Sequence, residues 1–210
     1  EVHGFLGPNG SGKSTTLRLL LGMLRSNAGS IRVLGLDPWR DVATLHRRLA
    51  YVPGDVALWP NLTGGEVIQL LGKLQGGQDR ARRDSLLELF ELDPTKKART
   101  YSKGNKQKVA LVAALASRAE LFVFDEPTSG LDPLMADVIN ELIADCVVGL
   151  GITALTITHD MPSARRISDR IAVFWVKDGA GCLVESGDTD DVFNHPRSEL
   201  AAAYLHGIRG

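Results

Sequence analysis

The stretch Gly7-Pro8-Asn9-Gly10-Ser11-Gly12-Lys13-Ser14 decides the fold, because it fits the pattern G-x-x-x-x-G-K-[ST] at every fixed position. An apolar run of strand length precedes it at 2–6, and a segment of helical period follows it at 14–24. A strand, a glycine-rich turn and a helix in this order aim backbone N–H groups and the positive end of the helix at one point. We therefore predict that residues 7–14, called the phosphate loop below, hold an anion.

The residue types in the phosphate loop suit a triphosphate. Gly7, Gly10 and Gly12 can take positive φ and let a phosphate approach the backbone closely. Lys13 is the fixed positive charge expected to reach the terminal phosphates, and Ser14 offers a hydroxyl to Mg²⁺. The pattern predicts a nucleoside-triphosphate site.

Two carboxylates follow a second apolar run. Residues 121–124 show no polar alternation, so we expect a central strand that is buried on both faces. Asp125 and Glu126 come directly after it, at the end where open parallel sheets place their ligands. Mg²⁺ is the natural partner of Asp125, and Glu126 can polarise the water that attacks the terminal phosphate. The alternative is that the pair only caps the following turn.

Asp132 and His159 add to this set. Asp132 precedes a helical pattern that starts at Leu134, and an N-cap role would by itself account for this residue. His159 follows the apolar run 153–157, so we expect it at the same sheet edge as Glu126, where it can donate a hydrogen bond to the terminal phosphate.

The composition places bounds on the class of protein. A chain of 210 residues with 44% hydrophobic and 23% charged residues is typical of one globular domain. Its formal net charge of -1 provides no global basic field, so we do not expect nucleic acid as a partner. Two cysteines form no disulfide framework and indicate a reducing compartment. The first residue is Glu1, from which we expect that the natural chain begins earlier.

Apolar runs of strand length alternate with segments of helical period, which predicts an α/β fold with a mostly parallel sheet covered on both faces. The predicted strands are 2–6, 31–34, 49–52, 121–124, 153–157, 171–175 and 182–185. Between about 54 and 101 the pattern changes to amphipathic helices without strands, at 64–75 and 78–92. We predict a helical subdomain inserted into the core, followed by a helix at 106–116.

Five motifs in this order resemble the ATP-binding subunit of an ABC transporter, over nearly the whole chain. They are the phosphate loop, Tyr101-Ser102-Lys103-Gly104-Asn105-Lys106-Gln107, Asp125-Glu126, Ser129-Gly130-Leu131-Asp132, and His159. The resemblance implies a single domain, 1–210, with a RecA-like P-loop NTPase core at 1–53 and 109–210. It also implies a helical subdomain at 54–108 that includes the signature segment, residues 102–106, and engages transmembrane permease subunits.

The resemblance further implies ATP hydrolysis with ATP and Mg²⁺ as cofactors, and a second nucleotide-binding domain, identical or different, paired head to tail. Each ATP then lies between the phosphate loop of one copy and the signature segment of the other. The nucleotide-binding residues would be Gly7, Pro8, Asn9, Gly10, Ser11, Gly12, Lys13, Ser14, Thr15, Ser102, Gly104 and Asp132. Ser14 and Asp125 would hold the metal, and Glu126, His159 and Lys13 would be catalytic. The expected location is cytoplasmic, peripheral on the inner face of the cell membrane.

Three features depart from the family pattern. The family's adenine-stacking aromatic residue lies in strands before the phosphate loop, and we expect these N-terminal strands to be missing. Gly54 stands where a glutamine is expected, and Asp55 beside it is the candidate substitute. The signature segment reads Ser-Lys-Gly-Asn-Lys instead of Ser-Gly-Gly-Gln, and Lys103 makes it similar to the exporter branch.

Different segments resemble different branches of the family. Residues 53–63 are similar to bacterial drug and antibiotic exporters, 132–172 to phospholipid-trafficking ATPases, and 187–210 to phosphate or other importers. The resulting expectation is ATP-driven solute transport, with export of a drug, antibiotic or lipid favoured. The alternatives are a truncated, weakly active nucleotide-binding domain and a soluble ABC-type ATPase that acts on ribosomes or nucleic acid.

Overall fold

The computed structural model describes residues 1–207 and has a six-stranded sheet in the order β2-β3-β4-β1-β5-β6. The first five strands in this order run parallel to one another, and β5 and β6 form an antiparallel hairpin. The strands are β1 (Val2–Leu6), β2 (Leu49–Val52), β3 (Leu121–Asp125), β4 (Thr153–Ile157), β5 (Arg170–Lys177) and β6 (Ala180–Asp188). The predicted mostly parallel α/β sheet is confirmed.

Helices cover both faces of the sheet. In chain order they are α1 (Lys13–Leu20), α2 (Val42–Leu45), α3 (Gly64–Leu74), α4 (Arg80–Leu89), α5 (Lys103–Leu115), α6 (Pro133–Leu150), α7 (Met161–Ile167), α8 (Thr189–Asn194) and α9 (Glu199–Leu205). Val123 packs with α1 and α2 on one face, while Phe122 and Phe124 pack with α5 and α6 on the other. This opposition follows from the alternation of side chains along a strand.

The strand β3 is buried on both faces, as its uniform apolar sequence predicted. It lies between β2 and β4, and Phe122, Val123 and Phe124 are each at most 1% exposed. Because β3 ends at Asp125, this carboxylate follows directly on the buried residues of the strand and lies at the sheet edge.

The segment between β2 and β3 is helical, and its helices begin at side-chain caps. Thr63 and Glu66 form a reciprocal capping box at α3, and Asp79 accepts a hydrogen bond from the backbone at the start of α4. Ser102 accepts a hydrogen bond from Asn105 N, so α5 begins at Lys103, three residues earlier than predicted. The helices α3 and α4 both pack against α5, which also contacts β2 and so joins them to the sheet.

The predicted strand at 31–34 is wrong. Leu34 and Gly35 have φ values of 51° and 78°, so the chain turns there, and Val33 forms only an isolated bridge with Leu36. The apolar residues of this segment pack instead on the cluster that contains Leu17 and other residues of α1. Their hydrophobicity reflects burial, which a turn can provide as well as a strand.

The helix predicted at 14–24 ends early, at Leu20. Gly22 has a φ of 68°, and a Cβ at this position would lie 2.1 Å from the carbonyl oxygen of Pro38. The close approach of the 37–40 segment therefore requires glycine here and ends the helix.

Within residues 1–207, no helix combines the length and the apolar character that crossing a membrane requires.

We predict that Phe124→Ala lowers the free energy of unfolding by about 3–5 kcal/mol, because it removes a fully buried aromatic ring and leaves a cavity. The control is Leu183→Ala on β6, where the side chain is 54% exposed and the change stays within about 0.5 kcal/mol. Urea denaturation of both variants measures the difference. Equal losses in the two variants would contradict the placement of β3 at the centre of the core.

Candidate functional site

Strand register brings the candidate residues to one edge of the sheet. Ile157 of β4 pairs with Phe5 of β1 on one side and with Asp125 of β3 on the other. The segments that follow these strands, which carry the phosphate loop, Glu126 and His159, therefore emerge side by side. They surround a cleft of about 450 Å³. The cleft is lined by Asn9, Lys13, Ser14, Arg18, Tyr51, Pro53, Gly54, Asp55, Asp125, Glu126, Ser129, Ile157 and His159.

The phosphate loop folds as its glycines predict. Gly7, Gly10 and Gly12 have φ values of 144°, 83° and 97°. A Cβ on Gly7 would lie 2.3 Å from the carbonyl oxygen of Phe174, so the loop packs too closely on β5 to allow any side chain there. Gly12 is the N-cap of α1, and the loop therefore delivers the chain directly into that helix.

The ammonium of Lys13 is held by the loop that carries it. Lys13 Nζ donates hydrogen bonds to the carbonyl oxygens of Gly7 at 2.6 Å and Pro8 at 3.0 Å, and the residue is 8% exposed. Burial lowers the pKa of Lys13, while the charges of Glu126 and Asp125 oppose that shift. The loop thus concentrates a positive charge at a fixed point that faces two acidic residues.

Asp125 is a carboxylate whose charge is incompletely compensated. Burial raises the pKa of Asp125 and the charge of Glu126 raises it further, whereas Arg18 and Lys13 lower it. A half-buried carboxylate in this condition is suited to a divalent cation. Within residues 1–207, no three His, Cys, Asp or Glu side chains gather as a metal centre. Ser14 and Asp125 both line the cleft, and their oxygen donors are of the type that suits Mg²⁺, a cation that also binds phosphate oxygens and water.

Ser11 supplies a second sign that the phosphate loop is built for a ligand. Ser11 is fully buried, and its Oγ has no hydrogen-bond partner among the described residues. Buried hydroxyls are normally satisfied, and exceptions concentrate at functional sites. This donor lies inside the loop that the sequence assigns to phosphate.

Glu126 and His159 contact each other at the mouth of the cleft. His159 Nδ1 lies 2.9 Å from Glu126 Oε2. Glu126 has a φ of 50°, a left-handed conformation that is uncommon for glutamate, and its N–H donates to the carbonyl oxygen of Ile157. Glu126, which the sequence predicts to be catalytic, therefore has a strained backbone conformation, as residues at functional sites often do.

Arg18 and Tyr51 also line the cleft, and neither was predicted from the sequence. Arg18 lies one helical turn after Ser14 on α1, a spacing that places both side chains on one face and could have identified it. Tyr51 lies on β2, and burial followed by the charge of Asp125 raises the pKa of Tyr51 to about 12. Nothing in its sequence position distinguishes Tyr51 from a core residue.

Of the twelve proposed nucleotide-binding residues, Asn9, Lys13 and Ser14 line this cleft, whereas Ser102, Gly104 and Asp132 lie away from it. Ser102 and Asp132 accept backbone hydrogen bonds at the starts of α5 and α6, and neither residue lines the cleft. Gly104 faces the 129–132 loop, since a Cβ on Gly104 would lie 3.1 Å from the carbonyl oxygen of Gly130. The remaining six belong to the phosphate loop or the start of α1 and do not line the cleft themselves: Gly7, Pro8, Gly10, Ser11, Gly12 and Thr15. The signature segment and the phosphate loop of one chain therefore do not form one site.

Gly54 and Asp55, which stand at the expected glutamine position, both line the cleft. A Cβ on Gly54 would lie 3.0 Å from the carbonyl oxygen of Asp125, so the two loops pack tightly against each other. Gln107 reinforces this contact, because its Nε2 donates to the carbonyl oxygens of Pro53 at 3.4 Å and Pro127 at 3.1 Å. The helix α5 is thereby joined to both loops.

A larger cavity, of about 540 Å³, lies near the amino ends of β3 and β4. Its lining includes Arg82 and Arg118, but Arg82 already donates to the carbonyl oxygen of Leu115, and Glu120 is paired with Arg48. It has no glycine-rich loop before a helix and no pair of free carboxylates. The chemistry of phosphate binding favours the smaller cleft.

The sheet, the loop and the cleft define a P-loop nucleotide-binding domain. The family model for the ABC transporter matches residues 1–129. The methionine import ATP-binding protein MetN of Rhizobium johnstonii is 37% identical over 218 aligned residues, which cover 100% of this chain and 59% of MetN. The daunorubicin resistance ATP-binding protein DrrA3 of Streptomyces coeruleorubidus is 37% identical over 196 residues, which cover 91% of this chain and 60% of DrrA3.

Two solved structures are similar throughout. An ATP-binding subunit of an ABC transporter has a TM-score of 0.86 and 28% identity, with coverage of 100% of this chain and 88% of that one. The dimeric, post-hydrolysis ATP-binding cassette MJ0796, bound to ADP and Pi, has a TM-score of 0.77 and 27% identity, with coverage of 90% and 85%. The chain therefore belongs to the ABC transporter family and has the fold of its ATP-binding subunits. It spans about three-fifths of the length of MetN and DrrA3.

We predict that Asp125→Asn stabilises the nucleotide-free chain at neutral pH. Because burial raises the pKa of Asp125 above its ordinary value of 3.8, the charged form destabilises the fold, and stability falls as pH rises through the raised pKa. The advantage of the variant disappears below pH 3.8, where the parent carboxyl is also neutral. Denaturation at a series of pH values measures it, with Asp145→Asn on the exposed side of α6 as the control. A destabilised variant at neutral pH would contradict this description of Asp125.

Proposed function

We propose that this chain binds and hydrolyses ATP and thereby powers solute transport through separate transmembrane permease subunits. The observation that carries the proposal is the Glu126–His159 contact of 2.9 Å at the edge of the cleft that also contains Lys13 and Asp125. A carboxylate that can orient the attacking water, together with an imidazole and an ammonium that can stabilise the negative charge, is a set of groups that promotes cleavage of a terminal phosphate.

Binding rests on the phosphate loop. Gly7, Pro8, Asn9, Gly10, Ser11, Gly12, Lys13, Ser14 and Thr15 are the residues that we assign to the phosphates. The backbone N–H groups and the start of α1 attract the anion, and Lys13 adds a full charge beside the terminal phosphates. Because the carbonyl oxygens of Gly7 and Pro8 already hold Nζ, little reorganisation is needed when the nucleotide enters.

Hydrolysis follows from the position of Glu126. Its carboxylate orients a water, which attacks the terminal phosphorus as one water proton passes to Glu126. The bond between that phosphorus and the bridging oxygen breaks, and ADP leaves with the electron pair. His159 donates a hydrogen bond to the terminal phosphate while Lys13 balances the charge that develops. Mg²⁺, held by Ser14 and Asp125, supplies neutralisation of the phosphate oxygens when it is bound.

We propose that the complete site forms between two copies or between this chain and a related domain. Ser102, Gly104 and Asp132 lie outside the cleft of their own chain, at the starts of α5 and α6. A helix start with a serine hydroxyl, which still has its own hydrogen to donate, and a glycine N–H suits the phosphate of a nucleotide bound to a partner. The dimeric form of the similar cassette MJ0796 supports this arrangement.

We assign the contact with the permease to an apolar groove of about 450 Å³ between the segment after α1, the α2–β2 region and the end of α3. Met23 and Leu74 in this groove are 50% and 58% exposed and form a joint apolar surface that a partner can cover. Tyr51 lines both the groove and the nucleotide cleft, so a partner in the groove would contact a residue of the cleft. The helical subdomain 54–108 and the core at 1–53 and 109–210 would then share the partner. This contact would place the chain at the cytoplasmic face of the membrane.

We favour export of a drug, antibiotic or lipid over import. The support is Lys103 in the signature segment and the resemblance of 53–63 to drug exporters, together with the similarity to DrrA3. The equal identity with MetN makes import the second candidate. Transport assays in inverted vesicles that contain this chain and a candidate permease separate the two. ATP-dependent uptake into the vesicles supports export, and ATP-dependent loss of substrate from them supports import.

We predict that Glu126→Gln lowers phosphate release at least about 100-fold while ATP binding persists, because the amide cannot accept the water proton. We also expect ATP to hold the paired form closed, measurable as a dimer by light scattering. The matched control is Glu120→Gln, which lies at the opposite end of β3 and pairs with Arg48. Turnover that is unaffected by Glu126→Gln would remove Glu126 from the mechanism.

We predict that Lys13→Ala weakens ATP binding roughly 100-fold, because it removes the charged hydrogen-bond donor of the loop. Calorimetric titration with MgATP measures the loss, and Lys73→Ala on the exposed side of α3 is the control. Unchanged affinity for Lys13→Ala would contradict the assignment of the phosphate loop.

A further inference from the structure

Glu126 and His159 lie in separate loops, and each loop leads into a helix. The loop after Glu126 ends at Asp132, the N-cap of α6, and the segment after His159 begins α7 with Asp160 as N-cap. The register of β3 and β4 brings the two loops together, and the packing of α6 against α7 further determines the distance between the two functional side chains.

A buried hydrogen-bonded chain joins these helices. Asn140 Nδ2 on α6 donates to Ser163 Oγ on α7 at 2.8 Å, and the Ser163 hydroxyl donates to the carboxylate of Asp160. The N–H of Asp160 donates to Thr158 Oγ1 at 3.1 Å. The chain of bonds therefore runs from α6 to the residues on both sides of His159. We call Asn140, Ser163, Asp160 and Thr158 the α6–α7 network.

The network is not ordinary helix capping. An N-cap aspartate normally accepts hydrogen bonds from backbone N–H groups of the first turn, yet the side chain of Asp160 makes no such bond. Its carboxylate is instead occupied by the Ser163 hydroxyl. Because each hydrogen bond has one donor and one acceptor, the side chains of the network have defined orientations.

Burial makes the network specific. Asn140 is 3% exposed and lies among the buried apolar residues Ile139 and Ile143 of α6. An amide in such a place is costly unless it is hydrogen-bonded, and a satisfied buried polar group fixes one arrangement. His159 itself has an 81% exposed side chain, so packing does not hold it. Its position therefore comes from the backbone on either side.

We propose that Asn140 and Ser163 are positioning residues that hold His159 against Glu126 by tying α6 to the segment 158–160. The role in turnover rests on the proposed ATP hydrolysis, whereas the structural tie does not. Without the network, the segment that carries His159 can move relative to Glu126. Misplacement of a catalytic group by about 1 Å is enough to slow a reaction roughly 100-fold.

The first test compares three variants of the full chain in steady-state phosphate release and in calorimetric binding of MgATP. We expect Ser163→Ala to lower kcat roughly ten-fold or more with unchanged ATP affinity, and Ser163→Thr, which keeps the hydroxyl, to restore most of it. Arg166→Ala is the control, because it breaks the exposed 2.7 Å ion pair with Asp137 that links the same two helices one turn away. We expect its kcat to equal that of the parent.

The second test needs no nucleotide. The ring signal of His159 in an NMR spectrum, assigned with His159→Gln, should shift in Glu126→Gln because the two side chains are in contact. We expect the same shift in an Arg166→Ala background and its loss in a Ser163→Ala background. Asn140→Ala, which removes the tie to α6 and leaves the Ser163–Asp160 bond, is the second network variant and should also weaken the shift.

The outcomes separate the two proposals. A parent chain without ATP turnover would contradict the proposed function, while the NMR response would still decide the structural tie. A full Glu126→Gln shift in both network variants, or equal kcat losses in Ser163→Ala and Arg166→Ala, would overturn the positioning role.

Discussion

The parallel register of β3, β4 and β1 is the constraint on which the site depends. Ile157 pairs with both Phe5 and Asp125, so three chain segments that are distant in sequence leave the sheet at the same level. The residues that directly follow the strands then carry the functional groups: the phosphate loop follows β1, Glu126 follows β3, and His159 follows β4. A slip of one residue in any of these strands would turn its side chains to the opposite face and dismantle the cleft.

The cleft contains charged and polar groups that the chain alone compensates only in part. Lys13 is buried against carbonyl oxygens, Asp125 is buried beside Glu126, and Ser11 has a buried hydroxyl oxygen without a partner among residues 1–207. The buried charge of Asp125 and the unpartnered hydroxyl of Ser11 lower the stability of the protein alone, because burial of a charged or polar group is unfavourable without a partner. Phosphate and a divalent cation would satisfy them together. Stability given up at a binding site in this way is a common cost of function.

Much of this could be read from the sequence, because the decisive features are local. The glycines of the phosphate loop, the uniform apolar run of β3 and the position of Asp125 directly after it required no long-range information. The strand expected at 31–34 failed because burial, and not strand pairing, accounts for its apolar residues. The α6–α7 network could not be predicted from the sequence. Asn140 and Ser163 are polar residues of a kind that usually faces solvent on a helix, and only the packing of α6 against α7 buries them and brings them into contact.

The central claim is that a triphosphate binds at the carboxyl edge of the sheet, between the phosphate loop and the Asp125–Glu126 pair. A crystal structure of the chain with Mn²⁺ and a non-hydrolysable ATP analogue tests it most directly, because the anomalous signal locates the ion without bias. We predict one strong peak between Ser14 and Asp125, with the terminal phosphate beside Lys13. A peak in the larger cavity lined by Arg82 and Arg118, at the opposite edge of the sheet, would contradict the account.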